Sequence, residues 1–232
     1  MKNEYQGFQG TEEAAVRTAV SFGRLMLDQV LKDLDILYRG TLGRERVEIF
    51  HFRTRDVEGA LSNIFSIDIF SENLFEARGR LLLVKENFKI LRDAIVKPFR
   101  KIKRNQAPYG ATDGDAFVGG PSPKLMAPIY FLPSFFGTRP FDQAALIVHE
   151  LAHLKLQGHH HAHHPGMKGT GSDVKPHEDK KKLFGDRKDF FSDAVFNPYC
   201  YQWFTLAVSP SYDPSRYGAV VFGDAAITSQ GP

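Results

Sequence analysis

Cysteine is almost absent from the chain, since Cys200 is the only one among 232 residues. A single thiol excludes an intramolecular disulfide framework, and sparing use of cysteine is typical of proteins made in a reducing compartment. Its surroundings, NPYCYQWF, favour a small packed residue over a reactive thiol. We therefore expect a protein that is cytoplasmic as made, with export by a non-classical route left open.

Long apolar runs and a strong charge imbalance are also missing. No run reaches transmembrane length, and the opening MKNEYQGFQGTEE lacks the apolar core of a signal peptide. The formal net charge is only +3, so nothing global indicates nucleic acid as a partner. We interpret the basic run at residues 97–104 as a solvated helix end, and we expect neither a membrane nor a nucleic-acid partner.

What is present is the composition of an ordinary globular protein, with 42% hydrophobic and 25% charged residues. Helical patterns dominate residues 1–120, beginning with a helix from Thr11 to Tyr38 that Gly40 ends. We expect this helical part to pack on a catalytic part, residues 121–232, within one compact domain. The predicted class is α+β, mainly helical, with a small sheet.

Three short segments leave the type of element open or predict a strand. Residues 66–70 alternate in polarity and fit either a helix or a strand, and LLLV at residues 81–84 could open a strand before a helix. Residues 128–133 are rich in β-formers and predict a strand. This last segment is either a candidate edge strand beside the helix described next, where it could pair with an extended peptide, or a plain core strand, and the two are not exclusive.

The chemistry of the chain is concentrated in residues 144–156, AALIVHELAHLKL. They contain His149-Glu150-Leu151-Ala152-His153, the H-E-x-x-H pattern of zinc metallopeptidases. No proline or glycine occurs from Phe141 to Gln157, which favours a helix. On a helix, His149 and His153 share one face and could hold one metal ion, while Glu150 is placed to accept a proton from water.

A catalytic zinc needs a third protein ligand, and spacing alone does not choose it. Five histidines within residues 159–164 form a loop that would bind metal weakly in any protein. They could capture zinc, form a second site, or be a solvated insertion. The remaining candidates are Asp173, His177, Glu178, Asp186, Asp189 and Asp193.

An apolar strand with paired aromatics, IYFLPSFF, precedes the H-E-x-x-H helix, and the segments GTGSD, AVFN and YQWF follow it. These segments occur in the same order in the aspzincin family, the deuterolysin and peptidyl-lysine metalloendopeptidases. The chain resembles that family over roughly residues 125–208. The resemblance implies a zincin-like metallopeptidase domain whose small sheet lies beside the H-E-x-x-H helix.

The resemblance also implies roles for individual residues. It makes His149 and His153 zinc ligands, Glu150 the general base, and Asp173 the third ligand of one catalytic Zn²⁺. Asp173 lies one residue later than in the family pattern, and Pro176 stands where the family has a tyrosine that stabilises the intermediate. That donor role is left to His177, Tyr199 or Tyr201.

These features together predict a zinc-dependent metalloendopeptidase acting on protein or peptide substrates. The resemblance further implies a preference for lysine, for which acidic residues at 178–189 could provide a pocket. Two alternatives stay open. One is a catalytically weak zincin-like binding module, and the other is an exported toxin or effector protease, whose secretion or immunity partner is unknown.

Overall fold

The computed structural model describes residues 4–42, 52–69, 73–96, 101–104, 116–118, 129–156, 189 and 191–209. These ranges are mainly helical, which confirms that part of the predicted class. In chain order their elements are β1 (Glu4–Gln6), α1 (Thr11–Leu42), α2 (Phe52–Phe65), α3 (Leu74–Val96), β2 (Lys101–Arg104), β3 (Ala116–Val118), β4 (Ile129–Phe131), a 3-10 turn (Pro133–Gly137), α4 (Pro140–Lys155), α5 (Phe191–Ala194) and α6 (Pro198–Ala207).

The four short strands pair in the order β1-β2-β4-β3. The β1–β2 and β2–β4 pairs are parallel, whereas β3 runs antiparallel to β4. The strand predicted at residues 128–133 is confirmed as β4, but its prediction as an edge strand is wrong because β4 has a neighbour on both sides. The edge strand that contacts α4 is β3.

The interpretation of residues 97–104 as a solvated helix end is wrong for residues 101–104, whereas residues 97–100 lie outside the described residues. Residues 101–104 form β2, an interior strand, rather than the end of a solvated helix. Charged residues are weak strand formers, so the pattern gave little sign of a ladder. Backbone hydrogen bonds to two neighbours hold this segment in the sheet regardless of its side chains.

Helix α1 begins where predicted, at Thr11, but continues past Gly40 to Leu42. Glu12 and Glu13 lie in its first turn, and the Glu12 carboxylate accepts a hydrogen bond from the Gln9 backbone N–H at 3.1 Å. Its last turn is buried at Thr41, whose hydroxyl donates to a main-chain carbonyl one turn earlier.

Neither of the two ambiguous segments is a strand within the described residues. Ser66, at a φ of 54°, ends α2 in the left-handed region, and residues 66–69 continue without regular structure. LLLV lies inside α3: Leu81 and Val84 are buried, whereas Leu82 and Leu83 are exposed. Burial at three-residue spacing is helical, so the strand alternative for LLLV is wrong.

Helix α4 lies at the centre of the described structure, in contact with α1, α3, α6 and β3. Gly23 allows α1 to approach α4 closely, because a Cβ there would lie 3.3 Å from the Ala144 carbonyl oxygen and 3.0 Å from Ile95 Cδ1. Two ion pairs, Arg92–Asp28 at 2.8 Å and Lys85–Asp35 at 2.7 Å, join α3 to α1. Helix α4 is thus packed against other elements on several sides.

Strands from both expected parts belong to one sheet, since β1, β2 and β3 precede residue 121 and β4 follows it. One apolar core likewise joins residues from α1 through α6. Among the helices that the structure describes, none combines the length and apolar character needed to cross a membrane.

Candidate metal centre

The helix that carries the H-E-x-x-H pattern forms as predicted. Helix α4 runs from Pro140, which occupies its first turn, to Lys155, and Leu156 is its C-terminal cap residue. Apolar and small residues surround the pattern and are almost all buried. A helix that is apolar nearly all round belongs in a protein interior, which explains its central place.

His149 and His153 approach each other closely on this helix. Their Nε2 atoms lie 3.1 Å apart, and their rings meet edge to face with centroids 4.8 Å apart. His149 is 5% exposed, whereas His153 is half-buried. The pair thus points two ring nitrogens at one small volume, with access to solvent on the His153 side.

The donor set and its spacing fit a zinc ion. Imidazole nitrogens bind zinc at about 2.0–2.1 Å, and at a tetrahedral angle two of them lie about 3.3 Å apart. The observed Nε2–Nε2 distance of 3.1 Å is close to that value without rearrangement. Without zinc, a hydrogen bond between one protonated and one unprotonated nitrogen suits the same distance.

Glu150 lies next to the histidine pair and is 3% exposed. His149 precedes His153 by four residues and Glu150 precedes it by three, so each of them lies beside His153 on the helix surface. A carboxylate is costly to bury unless it is paired or used, and such groups concentrate at functional sites. The placement suits a proton acceptor beside a metal.

The remaining ligand candidates are mostly outside the described residues. This holds for residues 159–164, Asp173 and His177, so their predicted roles stay predictions. Within the described part of the chain, no group of three or more histidine, cysteine, aspartate or glutamate side chains forms a complete metal site. The histidine pair is the part of the centre that the structure describes.

Asp189, another of the third-ligand candidates, is engaged elsewhere. Both of its carboxylate oxygens accept hydrogen bonds from Arg80, at 3.1 and 2.6 Å, and Oδ1 also accepts from the Phe191 backbone N–H. The hydrogen bonds from Arg80 hold the pKa of the Asp189 carboxyl below its ordinary value. Asp189 therefore anchors the chain before α5 to α3.

Of the two candidate tyrosines in α6, the structure places Tyr199 at the site and Tyr201 in the core. The Tyr199 ring meets the His149 ring edge-on, with centroids 4.3 Å apart. Tyr201 is fully buried; its hydroxyl accepts from Asn87 Nδ2 at 2.6 Å and donates to the Val195 carbonyl at 2.9 Å. Burial raises the pKa of the Tyr201 hydroxyl well above its ordinary value. The Tyr201 hydroxyl, predicted as a catalytic donor, is therefore bonded within the core.

The segment around the tyrosines begins with a capped helix. Pro198 occupies the first turn of α6, and Asn197 caps that helix. Cys200 is fully buried, consistent with a packed small residue.

Compared with the models of known protein families and with curated protein sequences, the chain matches none.

Proposed function

We propose that the chain is a zinc-dependent metalloendopeptidase with a zincin-like catalytic part, a divergent relative of the aspzincins. The observation that carries this proposal is the convergence of His149 and His153, with Nε2 atoms 3.1 Å apart, on a buried helix that also holds Glu150. A chance match to the pattern need not have formed a helix, nor one enclosed by protein at both His149 and Glu150.

In this proposal His149 and His153 hold the zinc ion with Asp173 as third ligand. When bound, zinc supplies Lewis acidity, which polarises a substrate carbonyl and brings the pKa of water towards about 7. Glu150 accepts the proton of the attacking water and returns it to the leaving amine. His177 stays a candidate donor to the oxyanion, because it follows Pro176, the position at which the family has its tyrosine.

A peptide substrate is supported by the sheet beside the site. Among the strands that the structure describes, β3 lies at the edge of the sheet; it pairs on one side with β4 and contacts α4. An edge strand has unpaired backbone groups that an extended peptide can pair with. We propose that substrates bind along β3 rather than along β4, and that a preference for lysine, if present, is determined outside the described residues.

The test is digestion of a reduced, alkylated protein by the purified chain, with products sequenced by mass spectrometry. Glu150→Gln is the matched variant, because it keeps the size of the side chain and removes its basicity. We expect the wild type to cleave and the variant to lose about 10²–10⁴-fold in rate while retaining zinc. Cleavage by Glu150→Gln at the wild-type rate contradicts the mechanism.

The binding-module and toxin alternatives give different results in the same experiment. A wild type that holds zinc but cleaves no substrate favours the binding module. A protease restricted to one or a few folded target proteins favours the toxin or effector. The sequenced cleavage sites also show whether lysine follows the broken bond, as the resemblance implies.

A further inference from the structure

Tyr199 touches a proposed zinc ligand without itself being part of the H-E-x-x-H pattern. Its ring meets the His149 imidazole at an interplanar angle of 64°, with centroids 4.3 Å apart. It is 7% exposed, so the contact is enclosed by protein rather than formed across solvent. An edge-to-face contact of this kind is favourable and restricts how the smaller ring can rotate.

The backbone at Tyr199 is held by the cap of its own helix. Tyr199 lies in the first turn of α6, and its N–H donates to the Asn197 side chain at 3.0 Å. Pro198 occupies the first turn as well, and its ring restricts the backbone between cap and tyrosine. The position of the Tyr199 Cα is therefore determined locally.

Its ring is also supported on a second side. Trp203, one turn later in α6, lies with its ring centroid 5.7 Å from that of Tyr199 at an interplanar angle of 31°. Tyr201, on another side of the same helix, is bonded to Asn87 of α3 and to the Val195 carbonyl. Because these contacts hold α6 against the core, they also restrain the position of the Tyr199 ring beside His149.

We propose that Tyr199 is a positioning residue of the zinc site, and that its ring, not its hydroxyl, keeps the His149 imidazole turned towards His153. This inference rests on the proposed function, because it assumes that the two histidines bind zinc. Groups that orient a ligand from outside typically change metal affinity by 10- to 100-fold when they are removed. We expect the lower end of that range, since a ring contact is weaker than a hydrogen bond to the ligand.

The experiment measures zinc affinity by competition with a chromogenic chelator, starting from metal-free protein. Tyr199→Leu removes the ring, Tyr199→Phe keeps the ring and removes the hydroxyl, and Phe22→Leu is the control. Phe22 packs against Phe141 of α4, with ring centroids 5.6 Å apart, so its loss also disturbs a ring contact of α4. We expect a loss of about tenfold in Tyr199→Leu and wild-type affinity in the other two variants.

Three results overturn the inference, and they differ from failure of the proposed function. Wild-type affinity in Tyr199→Leu shows that the ring does not position His149, and weak binding by Tyr199→Phe assigns the effect to the hydroxyl. An equal loss in Phe22→Leu reduces the effect to general destabilisation. A wild type without zinc overturns the proposed function itself, and the inference with it.

A second measurement needs no variant and covers the case in which Tyr199→Leu does not fold. In metal-free wild type, rings at this distance give nuclear Overhauser effects between the His149 and Tyr199 ring protons. We expect these effects to be present before zinc is added, since the proposed role is to orient the ligand in advance. Their absence overturns the inference.

Discussion

The two sides of α6 serve different purposes, although the helix spans only Pro198–Ala207. On the core side, Tyr201 and Phe204 are fully buried in an aromatic cluster, and the Tyr201 hydroxyl is satisfied by protein groups. On the site side, Tyr199 and Trp203 stack on each other, and Tyr199 meets His149. Tyr199 therefore belongs to the candidate site and Tyr201 to the scaffold. We expect substitutions at Tyr201 to change stability and substitutions at Tyr199 to change zinc affinity.

The largest effect on the scaffold is expected from Tyr201→Phe. The change leaves the aromatic packing with Phe65 and Phe88 intact but removes the hydroxyl between Asn87 and the Val195 carbonyl. Two buried polar groups then lose a partner, which should lower the free energy of unfolding by roughly 2–4 kcal/mol. Urea unfolding monitored by circular dichroism measures this loss.

The same variant, Tyr201→Phe, also gives a prediction about zinc affinity. We expect Tyr201→Phe to bind zinc as the wild type does, because the structure joins the Tyr201 hydroxyl to α3 and to the turn after α5 rather than to the histidines. A variant that is stable but binds zinc poorly would break the distinction between the two sides of α6.

A smaller effect is expected where α1 approaches α4. Gly23→Ala places a Cβ 3.3 Å from the Ala144 carbonyl, which belongs to the helical backbone, and this crowding should outweigh the gain in helix propensity. We expect a net destabilisation of about 1 kcal/mol by thermal or urea unfolding. Gly79→Ala in α3 is the control, since nothing lies within 4 Å of a Cβ there and it should stabilise by about 0.5–1 kcal/mol.

Equal stabilisation by the two alanines would show that Gly23 is not needed for the approach of α1 to α4. Unchanged zinc affinity in Gly23→Ala would again assign this contact to the scaffold.

The smallest effect is expected at the ion pair between α1 and α3. The hydrogen bond from Lys85 is the main reason that the pKa of the Asp35 carboxyl lies below its ordinary value. A carboxyl whose pKa is lowered by folding adds stability above its unfolded pKa of about 3.9, and that stability is lost as the pH falls through the folded value. Since both groups are partly exposed, the contribution should be under about 1 kcal/mol.

Comparison of the wild type with Asp35→Asn across pH tests this sign. The difference in unfolding free energy should be constant from about pH 5 to 8 and shrink below about pH 4. A difference that grows as the pH falls would contradict the assignment.

Those parts of the fold that depend on local pattern could be predicted from the sequence. Helix α4 has uninterrupted helix formers and apolar residues nearly all round, so its type and its central burial follow from the pattern. The start of α1 also follows from a local signal, because two acidic residues occupy its first turn. The histidine pair comes with α4, because spacing of four residues brings two side chains together on any helix.

Other parts depend on contacts between distant residues and could not be predicted. LLLV fits a strand or a helix until the partner that buries Leu81 and Val84 is known. The strand at residues 101–104 is stabilised by pairing with β1 and β4, which its charged sequence does not reveal. Likewise, which of Tyr199 and Tyr201 lies beside His149 depends on which side of α6 meets α4. No sequence pattern marks Asn87 as the hydrogen-bond partner of Tyr201.

The measurement that tests the central claim most directly is the zinc content per chain, by elemental analysis of purified protein. The wild type is compared with His153→Ala, Asp173→Ala and a variant in which the histidines at residues 159–164 are replaced by serine. The proposed metal centre predicts one zinc per chain in the wild type and in the loop variant, and its loss in the other two. A wild type without zinc, or zinc that survives His153→Ala but disappears with the loop histidines, contradicts it.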